Sequence, residues 1–299
     1  MEAIKPRLTV FTPTYNRAHT LERLYRSLCV QTRKDFVWLV IDDGSTDNTK
    51  GLVESFADDG VVPIIYRAKE NGGLYTAYNV AYEIIDTELN VCIDSDDYMP
   101  DNAVELILDK WEKEGTDYYA GMIGLDFYAG SDNPIGGYFP RNLHECFFMD
   151  LYIRNIHRGD TKQVMRTELM KKVAPQIGFD GEKNFNPVYM LMQVCDKFPL
   201  LIINENLCFV EYRTDGMANN IFRQYKDSPH SFAKMRLLEM NLGRNSFRNK
   251  YRCAVHYAAS CMLAGSKVFT KENNKKLLTF AALLPGLIWY WFIRYKNKT

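Results

Sequence analysis

The chain has 299 residues, 46% hydrophobic and 25% charged, with 37 basic residues balancing 37 acidic ones. That composition excludes an intrinsically disordered chain and leaves room for one large domain with an appendage, or for two domains. The seven cysteines form no Cys-x-x-Cys pair and the five histidines lack metal-ligand spacing, so neither a disulfide framework nor a zinc site is expected. The cysteines read as reduced core residues of a protein facing the cytosol, and the polar opening Met1 to Arg7 lacks the apolar stretch of a signal peptide.

In chain order, Leu8 to Phe11 predicts a first strand, and Arg17 to Gln31 a helix with Leu21, Leu24, Tyr25 and Leu28 on one face. Between them lies Thr12-Pro13-Thr14-Tyr15-Asn16-Arg17. At the mouth of a sheet, Tyr15 can flank a nucleobase and Arg17 can meet phosphate; the plain alternative is a strand-to-helix turn capped by Asn16. The apolar run Phe36 to Ile41 predicts a buried parallel strand that ends at Asp42-Asp43. Asp43 is placed to meet a nucleobase N–H or a ribose hydroxyl, while Asp47 can cap a helix carrying Leu52, Val53 and Phe56.

Pro63 to Tyr66 is a short third strand. Asn71-Gly72-Gly73, with Thr76, Ala77 and Asn79, opens a helix from Leu74 to Ile85, where glycines let backbone approach a ligand and a helix N-terminus attracts anions. No Gly-x-Gly-x-x-Gly and no Gly-Lys-Ser/Thr occurs there, which argues against a dinucleotide fold or a Walker ATPase. The strand from Leu89 ends at Asp94-Ser95-Asp96-Asp97. Asp94 and Asp96 point the same way in extended chain, and Asp97 lies beside them after the turn. Acids converging at strand ends repel one another unless a cation neutralises them, so Asp96 and Asp97 are candidate ligands of Mg2+ or Mn2+ bridging a nucleoside diphosphate. A helix capped by Asp101 runs to Lys113.

Beyond Gly115 the pattern loosens into a strand at Tyr118 to Tyr128, a glycine-rich loop from Gly130 to Pro140 and a strand at Leu200 to Val210, a middle suited to acceptor-binding loops. Helical spacing returns from Ser231 to Phe269. From Arg223 to Thr299 about 15 Lys and Arg face about 3 Asp and Glu. Leu277 to Ile293 is an apolar run without charge, flanked by Lys275, Lys276, Arg294, Lys296 and Lys298. At 1.5 Å per residue it reaches about 25 Å, short of a ~30 Å hydrocarbon core, and Pro285-Gly286 breaks it. A shallow or re-entrant anchor at a membrane surface is therefore preferred to a full span; a buried C-terminal helix is the plain alternative, and no nucleic-acid-binding motif is present.

Thr14 to Arg17, Gln31 to Thr49, Asn71 to Asn79 and Cys92 to Asn102 occur in an order and spacing that resemble the family-two inverting glycosyltransferases over roughly the first 115 residues. The resemblance implies an α/β GT-A (Rossmann-like) fold, a mostly parallel sheet flanked by helices, with a helical C-terminal appendage. It implies a nucleotide-sugar donor, expected to be a UDP-sugar, held by Pro13, Thr14, Tyr15, Arg17, Asp43, Asn71, Gly73, Thr76, Asn79, Asp94, Ser95 and Asp96. The acid matching Asp43 contacts the base, and the DxD-type cluster at Asp94, Asp96 and Asp97 holds ribose and metal-diphosphate. Leu74 departs from the pattern, since relatives often carry lysine there. Inversion needs a carboxylate base, and Gly178-Phe179-Asp180-Gly181-Glu182-Lys183 looks like the segment that supplies it; Glu182 is preferred to Asp180, ahead of Asp150 and Asp160.

The expected organisation is a catalytic domain over 1–215, with a nucleotide-sugar half (1–115) and an acceptor half (116–215), then a basic helical region over 216–299. The implied acceptor is a glycan or polyprenyl-linked glycan at the cytoplasmic face of the cell membrane. Two rivals are a sugar-phosphate nucleotidyltransferase, which normally needs a glycine-rich N-terminal loop that Thr12 to Arg17 does not provide, and a non-catalytic nucleotide-sugar-binding protein.

Overall fold

The computed structural model describes residues 6–211 and 220–297. Four parallel strands form one end of an eight-stranded sheet, in the spatial order β3 (Ile64–Ala68), β2 (Phe36–Asp42), β1 (Leu8–Thr14) and β4 (Leu89–Cys92). The sheet continues through β7 (Thr161–Arg166), β5 (Gly121–Tyr128), β8 (Leu200–Val210) and β6 (Glu145–Cys146), of which β7 and β6 run against the rest.

Alternate side chains of the central strands divide between two cores. Leu8, Val10, Trp38 and Val40 pack beneath α1 (Ala18–Cys29), α2 (Thr49–Asp58) and α4 (Ala103–Glu114). Phe11, Leu39 and Ile41 face α3 (Leu74–Ile84), α6 (Thr167–Lys171) and α7 (Val188–Cys195). Coverage on both faces is why these strands read as continuous apolar runs.

Local chemistry sets the element ends. Asp47 accepts from Thr49 N–H (3.1 Å) and Oγ1 (2.5 Å) and from Ala18 N–H (3.0 Å), so one carboxylate serves the first turns of both α1 and α2. Asp101 is not the cap of α4. Asn102 holds that place without a side-chain bond, and Gln31 Oε1 accepts the Val104 N–H at 3.0 Å instead. Pro13 lies inside β1. The Ile93 N–H bonds the Phe11 carbonyl, and with no N–H on Pro13 the ladder toward β4 stops there, freeing Asp94 to Asp97 to leave the sheet.

In the middle of the chain, β6, β7, α5 (Phe148–Ile153), α6 and α7 go beyond the elements expected from sequence. After β8 come α8 (Ile221–Asp227), α9 (Pro229–Asn241), α10 (Phe247–Leu263), α11 (Lys276–Ala281) and α12 (Leu283–Lys296). Leu242, Met235 and Leu238 of the α9 region join the core under α3 and α7, so the helical region is seated on the sheet layer. The expected boundary at 215/216 lies outside the described residues.

The run 277–293 forms two helices that break at Ala282, because the ring of Pro285 is tolerated only in the first turn of α12. Among the described residues no helix is long and apolar enough to cross a membrane. One face of α12 is packed: a Cβ on Gly286 would lie 2.8 Å from Ala258 Cβ, and Ile293 is buried. The opposite face carries Leu284, Leu287, Ile288, Trp291 and Tyr295, all exposed.

Candidate active site

The turns at the carboxyl ends of β1, β2, β3 and β4 meet at one edge of the sheet. Asn16, in the left-handed region with φ 52°, accepts from Thr46 N–H at 2.7 Å while its own N–H donates to Ser45 Oγ at 2.9 Å. This staples the turn after β1 to the turn after β2. Tyr15 beside it is 48% exposed, whereas Pro13 and Thr14 are buried and Arg17 is half-buried at the N-terminus of α1.

The two acids after β2 have separate roles. Asp42 accepts from Ser45 N–H (2.7 Å) and Tyr66 Oη (2.5 Å), which shapes its own turn. Asp43 gathers the next one, accepting from Gly72 N–H (3.0 Å), Gly73 N–H (2.9 Å), Asn71 Nδ2 (3.2 Å) and Lys69 Nζ (2.5 Å). Gly73 has φ 92°, and a Cβ there would lie 2.0 Å from the Lys183 carbonyl, so only glycine lets the 178–185 segment cross this turn. Thr76 Oγ1 donates to the Gly73 carbonyl at 2.7 Å. Asn79 is tied to the backbone: its amide donates to the Gln176 carbonyl (2.9 Å) and accepts the Gln176 N–H (2.8 Å), pinning the approach to 178–185.

After β4, Asp94 is exposed, Asp96 half-buried, and Ser95 and Asp97 buried. Arg23 of α1 donates to the Asp96 carbonyl and holds the turn from behind. Asp97 Oδ2 lies 3.8 Å from Lys162 Nζ, which also lies 3.7 Å from buried Asp126 Oδ2. Burial opposes the charge on Lys162, but Asp126, Asp97 and Asp94 outweigh it and hold the ammonium protonated. For the acids, burial outweighs Lys162: Asp97 is pushed up to about 7 and Asp126 to about 6, and the Asp94 carboxyl is raised as well. Two buried acids, Asp97 and Asp126, with the exposed Asp94 beyond them, surround the Lys162 ammonium and outnumber its charge.

Among the described residues, no three His, Cys, Asp or Glu side chains are grouped closely enough to hold a cation by themselves. Asp97, expected with Asp96 as a metal ligand, is buried 3.8 Å from Lys162 Nζ, whereas Asp94 is exposed and Asp96 half-buried. Asp94 and Asp96 are therefore the pair that would fit a magnesium-type site, in which one or two carboxylates are completed by substrate phosphates.

The 178–185 segment lies against the Asn71–Gly73 turn. Lys183 Nζ donates to Asn71 Oδ1 at 2.6 Å, and the Tyr75 hydroxyl is raised by burial and then by Glu182, Asp180 and Asp43 around it. Glu182 is buried. Its carboxylate accepts from His230 N–H (2.9 Å), His230 Nδ1 (2.8 Å), Ser231 N–H (2.8 Å) and Ser231 Oγ (2.6 Å), closing the N-terminus of α9. Asp180 is exposed and makes no side-chain hydrogen bond or ion pair among the described residues.

The family model of glycosyl transferase family 2 matches residues 9–172, more than half of the chain. The chain belongs to this family. Glycosyltransferase GlyG of Streptococcus pneumoniae serotype 4 is 23% identical over 232 residues, 72% of this chain and 74% of GlyG. Chondroitin synthase of Pasteurella multocida is 34% identical over 112 residues, which span 37% of this chain and 11% of the synthase. Among solved structures, S. aureus TarS 1-349 matches with a TM-score of 0.61 at 17% identity, over 94% of this chain and 80% of that one; a complex of TarS 1-349 with UDP-GlcNAc gives 0.60 at 19%, over 94% and 79%. Mannosyltransferase PcManGT from Pyrobaculum calidifontis, in complex with GDP-Man and Mn2+, gives 0.55 at 19%, over 97% and 85%. The fold of this family 2 glycosyltransferase is GT-A, a mixed, mostly parallel sheet flanked by helices with further helices at the C-terminus.

In this family 2 glycosyltransferase the sequence reading passed over Lys69, Asp126 and Lys162. Asp126 carries a signal, a carboxylate in the otherwise apolar run Gly121 to Tyr128. Lys162 carries none, because Thr161 to Arg166 shows no alternation that reveals a strand.

Proposed function

We propose that this glycosyltransferase moves a hexosyl group from a UDP-sugar to a hydroxyl of a glycan or polyprenyl-linked glycan, with inversion. The observation behind this reading is the convergence of the Asp43-held turn, the acidic Asp94 to Asp97 turn and the 178–185 segment at the carboxyl ends of the parallel strands. Tyr15 flanks the nucleobase, and Asp43 serves the nucleotide by holding the Asn71–Gly73 backbone in place. Asp94 and Asp96 would hold Mn2+ or Mg2+ beside the donor diphosphate, and the cation would supply positive charge against the leaving group.

The acceptor oxygen attacks the anomeric carbon as the bond to diphosphate breaks on the opposite face, and a carboxylate takes the hydroxyl proton. The occupied carboxylate of Glu182 supports the opposite preference between the two candidate bases. Glu182 has its oxygens occupied by the first turn of α9, so we assign proton removal to Asp180 and give Glu182 the task of positioning the loop.

The outward face of α11 and α12 supports attachment to a membrane surface, with the cytoplasmic leaflet as the setting. Leu284, Leu287, Ile288, Trp291 and Tyr295 repeat at the spacing of a core-facing stripe yet point to solvent, with Lys275, Lys276, Arg294 and Lys296 at the two ends.

The test is thermal stabilisation and hydrolysis across UDP-, GDP- and dTDP-sugars, with Mn2+ and with EDTA. Stabilisation and turnover by UDP-sugars only with the metal is the expected result. Binding without turnover, in the presence of any acceptor, would make the chain a non-catalytic binder.

A further inference from the structure

Beside Asp94, between the sheet and helices α3 and α7, lies a cavity of about 220 Å³. Its floor is β4 and the residues that follow it. Asn90, Cys92 and Asp94 are alternate residues and share one face, leading from the buried interior to the exposed Asp94. The walls are apolar: Phe11, Met165, Met170 and Leu191 are all buried side chains.

The polar groups of the cavity are unequal. Asn90 is committed to the fold: its Nδ2 donates to the Met165 carbonyl (3.1 Å) and Thr167 Oγ1 (2.9 Å), and its Oδ1 accepts from Tyr82 (3.3 Å). Gln163 differs. Its Nε2 donates to the Thr161 carbonyl (2.6 Å) and Oγ1 (2.8 Å), and its Oε1 has no hydrogen-bond partner among the described residues. The cavity thus offers apolar walls and the unpaired Gln163 Oε1, next to the acid proposed to hold the donor diphosphate. At its margin lie the Tyr78 ring and the exposed Asn186, whose Oδ1 accepts the Val188 N–H at 2.9 Å.

We propose that this cavity receives the N-acetyl group of the transferred sugar, making the donor a nucleoside-diphosphate N-acetylhexosamine. The inference rests on the donor site proposed above, since a sugar bonded directly to the diphosphate must lie close to Asp94. The acetyl methyl replaces water against Phe11, Met165 and Leu191, and the amide N–H donates to Gln163 Oε1. A hexose hydroxyl turned into the same walls would lose its water without gaining a full set of partners, which costs binding. A 6-deoxy sugar would fill the walls and leave Gln163 unpaired.

The experiment measures kcat/KM for UDP-GlcNAc and UDP-GalNAc against UDP-Glc and UDP-Gal, with dTDP-rhamnose as the 6-deoxy arm and UDP affinity by calorimetry alongside. The N-acetyl donors are expected to lead by roughly 10–200-fold, the usual reach of a small group in an apolar pocket. Gln163→Leu and Leu191→Phe should each pull that ratio toward one at unchanged UDP affinity; Gln163 is partly exposed, so its replacement tests the idea even if Leu191→Phe overpacks and unfolds. Equal or better use of plain hexoses, preference for the 6-deoxy donor, or an unchanged ratio in a folded Gln163→Leu overturns the pocket assignment alone. Failure to bind any nucleotide sugar overturns the donor site and the pocket with it.

Discussion

A carboxylate has about four lone-pair positions, and at Glu182 four donors from His230 and Ser231 already fill them. Such a group can anchor a helix but has no oxygen left to take a proton from a substrate. Asp180→Asn should therefore lower the transfer rate by roughly 10²–10⁴ while calorimetry shows unchanged donor affinity. Glu182→Gln should act on the fold, costing about 1–3 kcal/mol in urea unfolding because charge-assisted bonds at the start of α9 are weakened. The larger catalytic loss in a folded Glu182→Gln would return the base to that position. Sequence spacing offered Glu182 and Asp180 as candidates and could not choose between them, because the partners of Glu182 lie 48 and 49 residues further along the chain.

At the scale of elements, α12 combines two apolar faces with different fates. Gly286 and Ile293 bury one against α10, and this packing means that deleting the helix would uncover core. Substituting the outward face separates the two roles. Leu284→Gln with Ile288→Gln should abolish sedimentation with vesicles containing phosphatidylglycerol while leaving the melting temperature within about 2 °C of wild type, since exposed side chains contribute little to stability. Retained vesicle binding in that variant would rule out this face as the attachment surface. The apolar run was visible in sequence as a candidate anchor or core helix, and a one-dimensional pattern could not divide it into a packed face and a free one.

At the scale of the whole molecule, the acidic turn of the proposed donor site is backed by Lys162 and Asp126, which the neighbouring strands β7 and β5 bring beside β4. The Asp97 carboxyl is raised to about 7 in the fold, against ~3.9 in an unfolded chain. Between those values the folded state holds the extra proton, so stability falls as pH rises from about 4 to about 7. Thermal melts should show that decline in wild type and a flatter profile in Asp97→Asn; matching profiles would mean that Asp97 does not carry the titration. Asp96→Asn should abolish transfer and also remove the stabilisation that Mn2+ with UDP gives wild type, because the cation loses a hard ligand. Full activity in Asp96→Asn, or in EDTA, would remove the cation from the mechanism.

The amino-acid sequence alone determined the parallel half of the sheet and the strand ends that carry Asp43 and Asp94. Their signals are local: continuous apolar runs, a Gly-Gly turn and acids directly after a strand each report on neighbouring residues. The middle of the chain was not legible in this way. Strand β7 lacks alternation, and its place between β4 and β5 depends on pairing with residues more than 30 positions away in sequence. Only the tertiary structure decided that Lys162 and Asp126 underlie the acidic turn, that Asn79 and Glu182 are bound to backbone groups, and that a cavity opens beside Asp94. Each depends on which side chains meet across the sheet, and contacts between distant segments leave no periodic trace in the chain that makes them.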